Sequence, residues 1–113
     1  MIRLKRAYEK PGSEDGQRIL VERLWPRGLT KEQAQIDRWE KDIAPSPELR
    51  KWYAHDVTRW DEFQRRYRLE LEHNPDIGRF QQALGEVELV TFVFAARDAE
   101  HSSARILRDF LEG

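Results

Sequence analysis

The chain has 113 residues and a net charge of −1, and its balance of 39% hydrophobic and 36% charged residues predicts one folded domain over residues 1–113. It contains no cysteine, which excludes disulfide bonds, thiolate nucleophiles and cysteine-ligated metal centres. No apolar run approaches the ~20 residues that a membrane span needs, and no signal sequence opens the chain, so we expect a cytoplasmic protein without a membrane partner.

Two strands and a strand-to-helix transition open the chain. Alternating apolar and polar residues predict a first strand over residues 2–7, and a second is expected over residues 19–23. The second strand leads into the segment Leu24-Trp25-Pro26-Arg27-Gly28-Leu29-Thr30, and a helix should follow it. In α/β proteins such a transition is where ligands bind, so this segment predicts a site without naming a reaction.

Capping signals predict five helices. Thr30 and Gln33 form a capping box for a short helix, and Ser46-Pro47-Glu48 is a strong start for a second one. Residues 36–39, between these two helices, fit either a helix end or a short strand. The remaining three helices are expected to begin at Thr58, at Asp76 and at Ser102 or Ser103.

Residues 87–95 form a nearly continuous apolar run, which is typical of a central strand buried on both faces. Because helices separate this run from the second strand, we expect parallel pairing through a right-handed crossover. The predicted fold class is therefore α/β, a small layered domain with a short, mainly parallel sheet flanked by helices. The segments 25–30 and 97–103 would then lie near each other at one edge of the sheet.

The charges are unevenly distributed along the chain. Residues 1–31 contain eight Lys or Arg and four Asp or Glu, whereas the rest of the chain contains twelve and seventeen. A basic first segment keeps nucleic-acid binding open as a function. The sequence pI of about 6.3 argues against a strong polyphosphate binder. The basic residues Arg65, Arg66 and Arg68 do not share one helix face.

Motifs over nearly the whole chain carry a family resemblance. They are Arg18–Lys31 (RILVERLWPRGLTK), Lys41–Ser46, Glu48–Tyr53, His55-Asp56, Trp60, Phe63, Arg66-Tyr67, Glu70-Leu71, Ala95–Asp98 and Glu100-His101. With these motifs the chain resembles the family called domain of unknown function 488, and within it the short YeaO-like branch. The resemblance implies an α/β fold in a bacterial or archaeal cytoplasmic protein, and it implies no established activity.

The chain departs from this family in one loop that bears on chemistry. Longer members carry cysteines after the late strand, and the matching region of this chain, residues 94–103, has none. Thiol chemistry suspected for the longer members therefore does not transfer to this protein. The nearer branch often has Asn where Ser102 stands, so a role for that side-chain amide does not transfer either.

The transition segment supports an anion-site hypothesis. Arg23 and Arg27 supply charge-assisted hydrogen bonds, and the helix that opens at Thr30 supplies free N–H groups with a positive dipole end. Gly28 would let the backbone approach a ligand closely, and Trp25 would form a wall. The alternative is structural, with the arginines paired to internal carboxylates and Trp25 in a packed turn.

A second cluster precedes the last helix. His101 stands beside Asp98 and Glu100, and an imidazole near carboxylates can serve as a general acid or base near neutral pH. Ser102 or Ser103 would cap the helix or, as the less favoured role, act as a nucleophile. The alternative is a capped and solvated loop without chemistry.

His55-Asp56 could join His101 and an acid in a metal site, but the spacing matches no metal motif. No metal or cofactor is therefore predicted. The expected role of Asp56 is to cap the helix that carries Trp60.

These observations leave three functional hypotheses. The leading one is a binding module for a small phosphate- or carboxylate-bearing ligand, held in a crevice at the carboxyl ends of the strands. The second is an acid/base enzyme in the same crevice, with His101 as acid/base, Asp98 orienting it and Arg27 stabilising negative charge. The third is nucleic-acid binding through residues 1–31. The predicted ligand-binding residues are Arg23, Trp25, Arg27, Gly28 and Ser102. Ligand identity, reaction and oligomeric state stay open.

Overall fold

A four-stranded parallel sheet forms the centre of the computed structural model, which describes residues 1–113. The strands are β1 (Ile2–Arg6), β2 (Gln17–Leu20), β3 (Arg38–Trp39) and β4 (Val90–Phe94), in the spatial order β1-β4-β2-β3. All five residues of β4 are buried, and Phe92 at its centre is paired with Leu4 on one side and Ile19 on the other. The α/β class and the buried central strand are confirmed, although β4 is shorter than the predicted 87–95.

Five helices surround the sheet, as the capping signals predicted. They are α1 (Lys31–Ala34), α2 (Pro47–Tyr53), α3 (Trp60–Glu72), α4 (Ile77–Gly85) and α5 (Ser103–Glu112). The capping box of α1 is confirmed, because the N–H of Gln33 donates to Thr30 Oγ1 at 3.1 Å and the N–H of Thr30 donates back to Gln33 Oε1 at 2.9 Å. None of these helices combines the length and apolar character that crossing a membrane would require.

Several boundaries differ from the prediction, and strand β2 covers Gln17–Leu20 rather than residues 19–23. The third helix begins at Trp60 rather than Thr58, because Asp56 Oδ1 accepts the N–H and hydroxyl of Thr58 at 3.1 and 2.6 Å and a 3-10 turn, Val57–Arg59, forms first. The ambiguous segment 36–39 ends in strand β3, which pairs with the end of β2. Asp56 was expected to cap the helix that carries Trp60, but it caps this 3-10 turn instead, and α3 begins after Arg59 without a side-chain cap.

Different parts of the chain cover the two faces of the sheet. On one face β2, β4 and α2 to α5 bury the main apolar cluster, and removing a large side chain there from water stabilises the fold by ~1.5–3 kcal/mol. On the other face Ala7, Leu20 and Val93 pack under Trp25, Leu29 and Ile36. Trp25, Leu29 and Ile36 therefore lie across the sheet from the larger helices.

The amino ends of the strands are fixed by a close approach and a buried ion pair. Gly16 has φ +65°, and a β-carbon there would lie 2.3 Å from the carbonyl oxygen of Leu89, so only glycine fits. Next to it, Arg18 Nη1 lies 2.7 Å from Asp15 Oδ2, and both side chains are buried. This network lies at the opposite end of the sheet from the carboxyl ends of the strands.

Candidate functional site

An open cleft of about 110 Å³ lies at the carboxyl ends of β2 and β4, on the face covered by α2, α3 and α5. The residues that line it are Glu22, Arg23, Ala44, Pro45, Arg50, Tyr53, His55, Phe63, Ala96, His101, Ser102 and Ser103. In parallel α/β sheets, ligands bind at the carboxyl ends of the strands, which makes this cleft the candidate site.

Hydrogen bonds between the segments that follow the strands build one end of the cleft. Glu22 Oε1 accepts the N–H of Ala95 at 2.7 Å, which joins the segments after β2 and β4. The guanidinium of Arg23 donates to the carbonyl oxygens of Pro45 at 2.9 Å and Ala44 at 3.5 Å. Burial raises the pKa of the Glu22 carboxyl above its ordinary value.

Aromatic rings support the side of the cleft formed by α2 and α3. The ring of Tyr53 stacks on Phe63 with centroids 4.2 Å apart, and the edge of Trp60 meets His101 at 5.0 Å. The Tyr53 hydroxyl donates to the carbonyl oxygen of His101 at 3.4 Å. These contacts fix the backbone and the ring of His101 beside the cavity.

Helix α2 and the turn that follows it bring Arg50 and His55 to the cleft. Ala54 and His55 both have left-handed backbone conformations, with φ values of 48° and 58°. A β-carbon makes this region unfavourable, and such strain concentrates at functional sites. Both Arg50 and His55 line the cleft, and neither side chain forms a salt bridge within the protein. The Arg50 guanidinium and the His55 ring are therefore free of partners within the protein.

His101 is held by Asp98, as the second cluster predicted. Asp98 Oδ2 lies 2.6 Å from His101 Nδ1, and Asp98 Oδ1 accepts the N–H groups of Glu100 and His101. The hydrogen bond from the His101 ring lowers the pKa of the Asp98 carboxyl, so Asp98 remains ionised beside the imidazole. Such a carboxylate–imidazole pair sets the ring orientation for binding or for proton transfer.

Ser102 closes the cleft at the start of α5. Its Oγ accepts the N–H of Arg105 at 3.3 Å and donates to the carbonyl oxygen of Ala99 at 2.9 Å. The capping role is confirmed. Because Ser102 and Ser103 line the cleft, the positive end of the α5 dipole lies at its wall.

The segment around residue 25 does not reach this cleft. Trp25 packs on Leu20 and Val93 across the sheet, and its Nε1 donates to the carbonyl oxygen of Leu29 at 2.7 Å. Arg27 is exposed, and Gly28 uses its φ of +84° in an open turn, where a β-carbon would meet no atom within 4 Å. The segments 25–30 and 97–103 therefore do not form one crevice, because the chain after β2 crosses to the other face.

Three residues with polar side chains in the cleft were not predicted as site residues, namely Glu22, Arg50 and Tyr53. Glu22 directly precedes Arg23 at the end of the predicted second strand, and this position was a usable signal. Arg50 and Tyr53 lie one helical turn apart on α2, but their site depends on how α2 packs, which no local pattern gives. His55 and His101 share the cleft, and no group of three or more His, Asp or Glu is placed to hold a metal ion.

Comparison with known proteins identifies relatives but no activity. The family described as "Inactive DUF488-N3 subclade" matches residues 1–113. The uncharacterized protein Rv3073c of Mycobacterium tuberculosis is 41% identical over 99% of this chain and 94% of its own length. The uncharacterized protein YeaO of Escherichia coli is 36% identical over 97% of this chain and 96% of its own. No solved structure is significantly similar to this chain.

Proposed function

The chain belongs to the DUF488 family, in the subclade described as inactive, and we propose that it binds a small anionic compound in the cleft without converting it. The ligand class is an organic phosphate or carboxylate. The observation that carries the proposal is the convergence of Arg23, Arg50, His55 and His101 on one open cavity at the start of α5.

The charge balance of the cleft favours an anion. Two guanidinium groups and two imidazoles line the cavity, whereas Glu22 is its one carboxylate. Arginine stays protonated at all physiological pH values, and a helix N-terminus adds oriented N–H groups for phosphate or carboxylate oxygens. Arg23 is already anchored through Pro45, so Arg50 is the cation that can adjust to the ligand.

An acid/base enzyme is the second candidate, and the Asp98–His101 hydrogen bond favours it. In this hypothesis His101 transfers the proton and Asp98 sets its tautomer, on a substrate that carries a phosphate or carboxylate. The subclade's description as inactive supports binding over catalysis. Neither the binding hypothesis nor the enzyme hypothesis includes Trp25, Arg27 and Gly28, because these residues do not line the cleft.

A thermal-denaturation screen tests the proposal. Wild-type protein is heated with inorganic phosphate, sugar phosphates, nucleotides, organic acids and a short oligonucleotide. A ligand at 100 times its dissociation constant adds ~2.7 kcal/mol to the free energy of unfolding, which raises the Tm by at least several degrees. Arg50→Gln should weaken binding of the stabilising anion about tenfold or more, because a charge-assisted hydrogen bond is lost.

Lys51→Gln provides the matched control for Arg50→Gln. Lys51 is the next residue on α2, is exposed and does not line the cleft, so its loss changes net charge equally without touching the site. The proposal is refuted if no anion stabilises the wild type, or if both variants weaken binding alike. Stabilisation by the oligonucleotide alone, with a steep salt dependence, would indicate nucleic-acid binding instead.

A further inference from the structure

Glu22 is the unexpected residue of the cleft, because a carboxylate opposes the binding of a simple anion. One of its oxygens, Oε1, accepts the N–H of Ala95 at 2.7 Å. The other oxygen, Oε2, accepts no hydrogen bond from the protein, and it is not sealed in the interior. Glu22 therefore offers the cavity a free acceptor fixed in position by its partner oxygen.

The surroundings of Glu22 make the charged form of its carboxyl energetically costly. Burial disfavours its charged form and raises its pKa, and the N–H of Ala95 and the positive charges of His55 and Arg50 offset this only in part. A residue that served only to join the segments after β2 and β4 would need a single acceptor oxygen. The second, unpartnered oxygen is what a hydrogen-bond donor on a ligand would use.

The dimensions of the cleft limit the ligand group that can reach Glu22. Its volume is 110 Å³, below the roughly 150 Å³ of an apolar cavity that holds one benzene molecule. Only a few non-hydrogen atoms fit inside, and any larger part of the ligand must extend through the open side. The charged group and the donor therefore belong to one compact part of the ligand.

We propose, on the basis of the anion-binding function above, that the ligand is a hydroxylated anion whose hydroxyl donates to Glu22 Oε2. Its phosphate or carboxylate is bound by Arg50, His55 and the start of α5 at the other side of the same cavity. Phosphorylated polyols and short hydroxy acids share this chemistry. A ligand without the hydroxyl would displace water from Oε2 without replacing its hydrogen bond, and this lost bond gives the discrimination.

Matched pairs of small anions test this inference by calorimetry. The first pair is glycerol 3-phosphate with n-propyl phosphate, and the second is glycerate with propionate. Wild-type protein should bind the hydroxylated member of at least one pair tenfold or more tightly than its partner. The pair with the larger difference in affinity identifies whether the charged group of the ligand is a phosphate or a carboxylate.

Glu22→Gln is the decisive variant. Its amide oxygen can still accept the N–H of Ala95, while its amide nitrogen replaces the free acceptor with a donor. The variant should bind the two members of a pair within twofold of each other, and it should bind n-propyl phosphate at least as tightly as the wild type does. Glu86→Gln, an exposed change of the same kind outside the cleft, should leave the preference intact.

The outcomes separate this inference from the proposed function. If the wild type binds both members of each pair equally, the cleft binds anions but the role of Glu22 is refuted. If Glu22→Gln retains the tenfold preference, another group recognises the hydroxyl and the inference is again refuted. If no anion binds to the wild type, the proposed function itself is wrong. The affinities of the wild type for the two members of each pair test the inference even if Glu22→Gln does not fold.

Discussion

Asp15→Asn should destabilise the protein strongly, because Asp15 neutralises two cations at the amino ends of the strands. Its Oδ2 lies 2.7 Å from Arg18 Nη1 and its Oδ1 lies 3.1 Å from Lys5 Nζ, with only 3% of Asp15 exposed. Arg18 cannot turn to water, since it also donates to the carbonyl oxygens of Ala34 and Gln35. Removing one partner of a buried pair costs ~3–5 kcal/mol.

We expect a loss of about 3 kcal/mol for this variant, at the lower end of that range, because the amide oxygen of Asn can still accept a hydrogen bond. Urea denaturation at pH 7, followed by circular dichroism, measures the change in the free energy of unfolding. Domains of this size are stable by only ~5–15 kcal/mol, so the loss is a large fraction of the total. A loss of stability below ~1 kcal/mol would refute the reasoning, because ion pairs that are exposed to solvent already contribute up to that amount.

The pH dependence gives an independent readout for Asp15. Burial would raise its pKa, but the N–H of Gly12 and the cations Lys5 and Arg18 lower it below the ordinary 3.8. A carboxyl with a lowered pKa in the folded state contributes stability above its unfolded pKa and loses that contribution as the pH falls through its folded pKa. The difference in stability between wild type and Asp15→Asn should therefore be constant near neutral pH and shrink below about pH 4.

Glu62→Gln is the control for the Asp15 variant. Glu62 pairs with Arg65 at 2.6 Å and Arg66 at 2.7 Å on the surface of α3, so its contacts are as short as those of Asp15. Hydrogen bonds from these two arginines lower the pKa of Glu62 to about 2. Because water screens this exposed pair, Glu62→Gln should change the stability far less than Asp15→Asn does. Equal losses of stability in the two variants would show that burial does not determine how much an ion pair contributes.

Two further substitutions test contacts near the cleft by the same urea measurement. Ser102→Ala should cost about 1 kcal/mol, because the cap of the Arg105 N–H is lost, and no change would mean that another group caps α5. Tyr67→Phe should cost ~1–3 kcal/mol, because the fully buried hydroxyl donates to the carbonyl oxygen of Ile43 at 2.7 Å and that oxygen would lose its partner. An unchanged stability for Tyr67→Phe would mean that water replaces the lost donor.

The fold was largely predictable because its signals are local. The capping box at Thr30, the Ser46-Pro47 start and the apolar run that contains β4 each depend on residues within one helical turn or one strand. Strand β3 has two residues and owes its conformation to pairing with β2, so its own sequence could not decide between helix and strand. The end of β2 was also placed too late, because Glu22 and Arg23 leave the sheet and line the cleft.

The site was only partly predictable, because its location depends on which face each connection crosses. Arg23, Asp98, His101 and Ser102 were named from sequence, and three of these four line the cleft. The error in grouping them with Trp25 arose from treating one sheet edge as one site. The edge has two faces, and residues 25–30 cover the face opposite to α5, whereas Glu22 and Arg23 lie at the cleft.

The side chains of the cleft favour binding over covalent chemistry. Ser102 uses its oxygen both to accept from Arg105 and to donate to Ala99, so a base could take its proton only by breaking the hydrogen bond to Ala99. Burial raises the pKa of the Tyr53 hydroxyl, which disfavours the phenolate that would attack a substrate. The groups left to a ligand are guanidinium, imidazole and the Glu22 carboxylate, and these bind and orient. The left-handed turn at Ala54 and His55 ends α2 through the cap at Ala54 and places His55 beside the other groups of the cleft.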